Sequence, residues 1–556
     1  MRIIEPRADE VLYLPLGGAG EIGMNAYLYG HKGAWLLVDL GVTFGDPAST
    51  PGVDLLTPDI TLLESLGRKL KGLVVTHAHE DHFGAIPYLA DALDCPLYAT
   101  PFAANLLRRK LDEAGAAQAV RLHPIDPGGR FQVADFDLQF LPVTHSIPQA
   151  QGLVIRTEAG VIYHSGDWKI DPEPMLGAPF DPEPLKALGE AGLLALMGDS
   201  TNAVEPGHSG READAAKGLA AKIAEARGRV AVTCFATNVA RVNAVAEIAR
   251  TTGRSICLLG RSVRQMTEVA REEGLIGDFV GQVSEADLEH LPPEQQLLLC
   301  TGSQGEPRAA LARLARGENP SVQLGAGDRV ILSARTIPGN EEAVAEVLNR
   351  LAARDVEIIT ETEARVHVSG HAKQDEIAQL IRWTRPQNVI PLHGEQRHLR
   401  AHAELARRLQ VPSALVAPNG SLVRLQSGQP ASIIATLPTG RWGLDGQRFI
   451  DMQSPLVRAR KKLNHSGLIS LAVHLDKRGE LVAPPSVAAQ GLYDEAQDGD
   501  ILAALADSAA HLLQRLSRAE LGQDAVVTQN LIRELRRSAR QLIGKKPLVV
   551  VHIMRQ

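Results

Sequence analysis

Through the first 200 residues, short apolar runs alternate with turns rich in Gly, Pro and Asp. The runs are "EVLYLPL", "AYLYG", "AWLLVDLG", "GLVVTH", "FQVADFDLQFLPVTH" and "LVIRTEAGVIYHSGD". Their length and their β-branched and aromatic content predict strands, many of them antiparallel, while "TLLESLGRKL" between two of them has helical spacing. From about 211 to 360 the pattern becomes a regular alternation. "RVAVTCFA" precedes a helix starting near Asn238, "SICLLG" precedes "SVRQMTEVAREE", "LLLCTG" precedes "EPRAALARLA", and "DRVILSA" precedes "NEEAVAEVLNRLAA". Strand and helix in strict succession predict a parallel, Rossmann-like sheet with helices on its faces. After 361 short strands and loops return. The reading is an α/β chain in which a doubly wound domain (211–360) interrupts a first domain (1–210 and 361–426). A Gly-, Pro- and Gln-bearing linker (427–460) follows, and then a small C-terminal α/β domain (461–556). That last domain has strands at "LISLAVHL", "ELVAPPSVAA" and "PLVVVHIM", with helices around 499–518 and 524–543.

Composition places the chain among soluble globular proteins, at 44% hydrophobic and 22% charged residues over 556 positions. No stretch approaches the roughly 20 apolar residues of a membrane helix. The opening "MRIIEPRADEVLYLPL" meets charges too early for a secretory signal, so the expected location is the cytoplasm. Cys95, Cys234, Cys257 and Cys300 are far apart in apolar runs, which predicts buried free thiols in a reducing compartment. A net charge of -7 argues against indiscriminate nucleic-acid binding but leaves room for a local basic channel. Residues 211–280 carry 11 Lys/Arg against 8 Asp/Glu, and 531–546 carry six basic residues against one acidic; solvated helix faces account for both equally simply.

The densest chemistry is "THAHEDH", where His77, His79, Asp81 and His82 follow an apolar run, with the next helix expected to begin at about Phe83. Imidazole and carboxylate are ligands suited to zinc and manganese, and the cluster lacks the thiolates of a structural zinc site. Further ligand types end other apolar runs: His145 in "LQFLPVTHS", Asp167 in "VIYHSGD" and His393 in "NVIPLHGE". His164 lies nearby and reads as a supporting or structural residue. The inventory fits two neighbouring metal ions, with His77, His79 and His145 around one, Asp81, His82 and His393 around the other, and Asp167 bridging. Two ions about 3.5–4 Å apart can share and deprotonate a water and neutralise a phosphate oxygen, which implies a hydrolase.

"HAHEDH" matches the H-x-H-x-D-H signature of the metallo-β-lactamase superfamily, and Asp39 of "LLVDLG" matches the aspartate that braces the ligand loop there. Diiron oxidoreductases of that fold carry glutamate where this chain has His79, whereas thioester hydrolases share the motif, so the motif leaves the substrate open. About 225 residues separate Asp167 from His393, and the alternating domain between them resembles the β-CASP insertion of nucleic-acid-processing members. Three β-CASP motif residues match, Asp199 in "GDSTNA", His371 ending "HVSGH" and His393 in "PLHGE". With "LGGAGEIGMN" at 16–25, "FATNVAR" at 235–241 and a C-terminal domain, the chain resembles the bacterial ribonuclease J family along essentially its whole length.

That resemblance implies a metallo-β-lactamase αββα sandwich with an inserted β-CASP domain, the two flanking a cleft for single-stranded RNA. It implies 5′ to 3′ exonuclease and endonuclease action in RNA decay and maturation, on RNA preferably 5′-monophosphorylated. A water activated by both ions and oriented by Asp81 attacks phosphorus, and His371 steadies or protonates the leaving oxygen. The resemblance assigns Ala236, Thr237 and Asn238 to the RNA path, although Asn238 also suits a helix cap. His367, Val368, Ser369, Gly370 and His371 offer a hydroxyl, imidazoles and backbone N–H groups as a phosphate cradle; an ordinary turn and a core histidine are the alternatives. "LGGAGEIGMN" reads as a tight turn feeding the site, since its spacing is incomplete for a dinucleotide loop. Few aromatics, 4% of the chain, predict readout of phosphate and sugar with little sequence preference. Implied cofactors are two divalent ions, zinc from the histidine-rich ligation with manganese as an activator. Implied partners are a second copy through the C-terminal domain, extending to a tetramer, and proteins of an RNA-decay complex. A structural calcium near "PGVDLLTPD" follows only by analogy. Two other readings stand beside this one: a DNA nuclease of the same superfamily, and a catalytically dead RNA-binding paralogue, against which the complete ligand set weighs.

Overall fold

The apolar runs of the first 200 residues pair across long sequence distances. The computed structural model describes residues 4–46, 49–494 and 498–556. Two compact units form, Met1–Thr43 with Thr57–Gly440, and Phe44–Leu56 with Arg441–Gln556.

In the first unit an eight-stranded sheet has the order Ser432–Thr436, Ser421–Leu425, Val11–Gly17, Ala26–His31, Ala34–Val38, Leu70–Val74, Pro96–Ala99 and Arg121–Pro124. A seven-stranded sheet has the order Arg130–Val133, Phe136–Pro142, Gln151–Thr157, Gly160–His164, Ala195–Asp199, Asn388–Leu392 and Ser413–Ala414. Tyr13, Tyr29, Leu36 and Val38 of the first sheet and Phe136, Phe140, Leu153 and Ile155 of the second form one buried cluster, so the sheets pack face to face. Helices Glu183–Ala191 and Gln374–Thr384 cover the outer face of the second sheet through Leu185, Leu188, Ile377 and Ile381. This arrangement agrees with the αββα sandwich that the resemblance implies. Strand register decides which strand ends meet. Ala34–Val38 runs parallel to Leu70–Val74 with Val38 opposite Val74, so the residues just beyond both ends, Asp39 and Thr76, become neighbours. Ala195–Asp199 runs parallel to Asn388–Leu392 with Asp199 opposite Leu392, which brings Asp199 beside His393.

The inserted segment forms a five-stranded parallel sheet ordered Ser255–Leu259, Gln296–Cys300, Val230–Thr233, Arg329–Leu332 and Glu357–Ile359. Its strands are buried on both faces, by Val242, Val245 and Ile248 on one side and Leu311, Leu314 and Leu351 on the other. Burial on both faces is why they read as continuous apolar runs instead of alternating ones. The first strand lies in the middle and later strands are added on either side, which opens a crevice at its carboxyl end. Thr237 and Asn238 occupy the loop at that end.

Three expectations differ from the structure. The ligand loop turns helical at Glu80, not Phe83 (helix Glu80–Phe83), so Asp81 and His82 lie on its first turn; His79 is extended, and Glu80 and Asp81 at the start favour an early helix electrostatically. The stretch 427–460 is not bare linker: it holds strands Ser432–Thr436, Arg441–Asp445 and Arg448–Asp451 and the start of helix Pro455–Ser466. Phe44–Leu56, placed with the first domain by sequence, belongs to the second unit.

That second unit is built on a three-stranded sheet in which Leu468–Leu475 lies between Leu481–Gln490 (antiparallel) and Leu548–Arg555 (parallel). Ile469, Leu471, Val473 and Leu475 pack against Leu505, Leu513, Leu531 and Leu535 of helices Gly499–Arg515 and Asp524–Ile543. The four cysteines are buried and free, as their apolar surroundings predict. Among the described residues no helix is long and apolar enough to cross a membrane.

Candidate metal centre

Seven ligand-type residues from four separate segments meet at the edge of the sandwich. His77, His79 and His145 approach Asp167, and Asp81, His82 and His393 approach the same aspartate, with the potential ligand atoms in each group within 4.8 Å of one another. A third grouping adds Asp199 and His371 to Asp167 and His393. Asp167 is the common member. Its Oδ2 lies 3.2 Å from His82 Nε2, 3.6 Å from His77 Nε2, 3.7 Å from His145 Nε2 and 3.8 Å from His371 Nδ1. Its Oδ1 lies 2.8 Å from His393 Nδ1.

The ligand loop is held from behind by backbone and buried polar groups. Asp39, fully buried at the end of Ala34–Val38, accepts from Thr76 N (2.8 Å) and Thr76 Oγ1 (2.9 Å) and pairs with His82 Nδ1 (2.8 Å). The bracing role expected of Asp39 therefore falls on His82 directly and on His77 through Thr76, whose hydroxyl is 3.0 Å from His77 Nδ1. Asn25 N donates to the Asp81 carbonyl at 2.9 Å, and Leu40 N to the His82 carbonyl at 2.7 Å. Gly41 fits against this turn only because it has no side chain, since a Cβ there would stand 1.7 Å from Asp81 O. "LGGAGEIGMN" thus ends in a residue, Asn25, whose amide also reaches His82 Nε2 at 3.0 Å while Tyr27 OH donates to its Oδ1 at 2.6 Å. Sequence reasoning found the turn but not Asn25; an asparagine at the head of the apolar run "AYLYG" was the available signal, and the structure buries it fully.

The donor set fits metal ions on internal grounds. His145 Nδ1 must carry a proton, because it bonds the Gly370 carbonyl at 2.7 Å, so the neutral ring turns a lone pair on Nε2 toward His79 Nδ1, 3.1 Å away. His79 bonds the Thr237 hydroxyl through Nε2 at 3.1 Å, and its Nδ1 also faces His77 Nε2 at 3.0 Å. Burial drives His77 and His145 well below the ordinary imidazole range and lowers His79 to about 4, so these rings are neutral. Thr76 Oγ1 donates to Asp39 and so accepts from His77 Nδ1, which leaves a second inward lone pair on His77 Nε2. With His79 Nε2–H donating to Thr237 a third faces them, and a cation accepts all three. In the other group, His393 Nε2 is buried and faces Asp81 Oδ2 at 3.2 Å. Burial opposes charge on His82 and His393, but Asp167 and then Asp81 outweigh it, raising His82 well above the usual range and His393 to about 10. Burial likewise opposes charge on Asp81 and Asp167, yet His82 and His393 hold both carboxyls well below the usual range. Here protons supply the positive charge, and a divalent ion would displace them.

Asp81, His371 and His79 are the members of the cluster whose side chains stay partly open to solvent. The Asp81 side chain is 31% exposed and that of His371 23%, against 2% or less for His77, His82, His145, Asp167 and His393. His371 Nδ1 lies 2.9 Å from Asp199 Oδ2; burial opposes its charge, but Asp199 and then Asp167 raise it above the ordinary imidazole value. Asp199 is fixed in turn by Thr201, whose N and Oγ1 donate to Oδ1 at 2.9 and 2.8 Å. His164 sits apart, buried and bonded to Tyr29 OH at 2.9 Å, the structural role among those read for it.

Of the residues assigned to RNA, Ser369 Oγ accepts from Asn202 Nδ2 (2.8 Å) and His371 N (3.1 Å). His367 Nδ1 accepts from Arg241 Nη1 at 3.1 Å, and burial followed by the Arg241 charge lowers its pKa to about 3. Val368 is buried, so its backbone is what it can offer. Asn238 is buried and caps helix Val239–Thr251, its Oδ1 accepting from Arg241 N at 3.0 Å. Ala236 and Thr237 remain partly exposed.

Fold and site together define a metallo-hydrolase of the β-lactamase superfamily carrying a β-CASP insertion. The beta-lactamase superfamily domain matches residues 35–225, the ribonuclease J beta-CASP domain 227–351, the Zn-dependent metallo-hydrolase RNA specificity domain 355–415 and the ribonuclease J C-terminal domain 455–556. Ribonuclease J of Sinorhizobium meliloti is 41% identical over 98% of this chain and 97% of its own length. That of Mycolicibacterium smegmatis is 37% identical over 96% and 95%, and that of Thermus thermophilus 37% over 83% and 82%. A crystal structure of an Enterococcus faecalis protein of unknown function shares the fold, with a TM-score of 0.52 at 16% identity over 75% of this chain and 100% of its own. The chain belongs to the ribonuclease J family.

Proposed function

We propose that this chain hydrolyses single-stranded RNA at a centre of two divalent ions, 5′ to 3′ from a 5′-monophosphorylated end and also internally. Family membership makes it a phosphodiester-hydrolysing ribonuclease with a metal-dependent site; the number of ions, the polarity and the end preference belong to the proposal. The observation that carries it is one aspartate, Asp167, shared by two triads of ligand-type side chains. His77, His79 and His145 would hold one ion, Asp81, His82 and His393 the other, with Asp167 between. Zinc suits the histidines and manganese suits the carboxylates as an activator. When bound, such ions supply Lewis acidity toward a phosphoryl oxygen and make water acidic enough to act as a nucleophile near neutral pH.

The chain's own groups divide the remaining work. Asp81 orients the attacking water and accepts its proton. His371, kept charged by Asp199, donates a proton to the 3′ oxygen as the P–O3′ bond breaks, leaving a 5′ phosphate on the product. Ser369 Oγ, the N–H groups around Gly370, and Ala236 and Thr237 across the crevice line a path for the sugar–phosphate chain. His367 supports that path by its bond to Arg241, and Val368 by its backbone. Contacts of this kind read the backbone and not base identity, which gives little sequence preference. Pairing of two chains is read onto the C-terminal unit, where Val550 and Met554 alternate with the helix-packed Val549, Val551 and Ile553 and are 37% and 53% exposed on the opposite face of the sheet.

The test offers metal-loaded protein, with zinc or manganese content verified, three matched substrates: 5′-monophosphorylated RNA, 5′-triphosphorylated RNA and 5′-monophosphorylated DNA. Rapid release of mononucleotides from the monophosphorylated RNA, slow internal cuts in the triphosphorylated RNA and intact DNA are the expected outcome. Equal cleavage of DNA would support a DNA nuclease instead, and no cleavage of any substrate would contradict an active centre.

A further inference from the structure

An imidazole that gives one nitrogen to a metal is aligned by what its other nitrogen bonds. In the Asp81, His82 and His393 group those outer bonds stay inside the sandwich, His82 Nδ1 to Asp39 (2.8 Å) and His393 Nδ1 to Asp167 (2.8 Å). The other group differs. Only His77 is held there from within, by Thr76 at 3.0 Å. His79 Nε2 bonds Thr237 Oγ1 at 3.1 Å, on the loop leaving the first strand of the inserted sheet, and His145 Nδ1 bonds Gly370 O at 2.7 Å, on the segment returning from that domain.

One buried arginine fastens both of those loops, the Thr237 loop through its backbone N–H and the returning segment through its guanidinium. Arg241 is 1% exposed; its N bonds the Asn238 cap beside Thr237 (3.0 Å), and its Nη1 donates to Ser333 O (2.9 Å) and to His367 Nδ1 (3.1 Å), three residues before Gly370. Its Nε and Nη2 form a two-point pair with Glu212 at 2.6 and 2.8 Å, and Glu212 N donates to Asp171 Oδ2 at 2.9 Å. Asp171 N in turn bonds the hydroxyl of Thr144, the neighbour of His145, at 3.2 Å. A paired and fully bonded charge of this kind resists displacement, because separating it would leave a bare ion in the interior.

We propose that the inserted domain supplies outer support to one metal site and none to the other, through Thr237 as the positioning residue for His79. The ion among His77, His79 and His145 is thereby coupled to the placement of the inserted domain's loop, while the ion among Asp81, His82 and His393 is not. This coupling rests on the two-ion reading of the site.

The test compares the full-length wild-type chain with Thr237→Val and Thr237→Ser. Each is loaded with zinc and dialysed against a graded series of chelator concentrations, and metal per chain is measured by mass spectrometry without any activity assay. Outer partners of metal-bound histidines typically change affinity by about 10- to 100-fold. Thr237→Val is therefore expected to release one of its two ions at a chelator concentration about 10- to 100-fold lower than wild type, and the second at the wild-type concentration. Thr237→Ser, which keeps the hydroxyl, is expected to follow the wild type. Release of both ions from Thr237→Val as in wild type, or loss of both together with or without a lower melting midpoint, overturns the coupling while leaving the two-ion reading intact. A wild-type chain that never holds two ions overturns that reading and this inference with it.

Discussion

Replacing Asp167 by asparagine is expected to abolish RNA cleavage and to strip the chain of most of its bound metal. The carboxylate stands within 2.8–3.8 Å of five histidine nitrogens and belongs to every metal-competent grouping of the site. Asparagine keeps the shape but turns one oxygen into an N–H donor and removes the charge that both triads share. Removing a single electrostatic contact in an active site costs about 10²–10³-fold in kcat. In the proposed centre the carboxylate is common to two ions and its loss exceeds that, so a residual rate below about one thousandth of wild type is expected, with metal content falling in parallel. Initial rates on 5′-monophosphorylated RNA and metal analysis of the same preparation check it. A variant that keeps both its ions and more than about a tenth of its rate would mean that Asp167 does not bridge.

Asp199→Asn is expected to damage catalysis as severely as His371→Ala while leaving both ions in place. Asp199 accepts from His371 Nδ1 at 2.9 Å and from Thr201 at 2.8 and 2.9 Å, yet it belongs to neither ligand triad. An asparagine amide turned toward His371 would favour the other ring tautomer and withdraw the charge that keeps the ring protonated. General acid catalysis by a positioned histidine contributes about 10²–10⁴-fold, so either substitution is expected to lower kcat by that range with little change in KM. The proposed mechanism makes the two one unit, so the double variant is expected to be no slower than the worse single variant. Multiplying losses would instead assign Asp199 and His371 separate tasks.

The ligand-type residues that meet at the site were legible in sequence because each ends or follows an apolar run, and a strand end is where a fold can present a side chain into a shared cleft. "HAHEDH" needed no tertiary knowledge, and neither did the alternation that predicted a parallel inserted sheet. Local pattern could not supply the partners. Thr76, Thr201 and Thr237 are ordinary threonines until register places them against His77, Asp199 and His79. Asn25 reaches Asp81 and His82 only through the packing of a turn against the ligand loop. Arg241 read as one basic residue in a mildly basic stretch, whereas it is buried and spent on Glu212, Ser333 and His367. The excursion Phe44–Leu56 joins a unit whose other strands begin at Arg441, and pairing over that separation leaves no periodic trace. The same is true of Ser432–Thr436, which looked like linker until Ser421–Leu425 gave it a neighbour.

Whether the cluster holds two ions, one on either side of Asp167, is measured directly by anomalous diffraction from crystals of the zinc-loaded chain, recorded above and below the metal's absorption edge. Two peaks are predicted, one among His77, His79 and His145 and one among Asp81, His82 and His393, each next to an Asp167 oxygen. A single peak, or peaks away from Asp167, would contradict the two-ion centre.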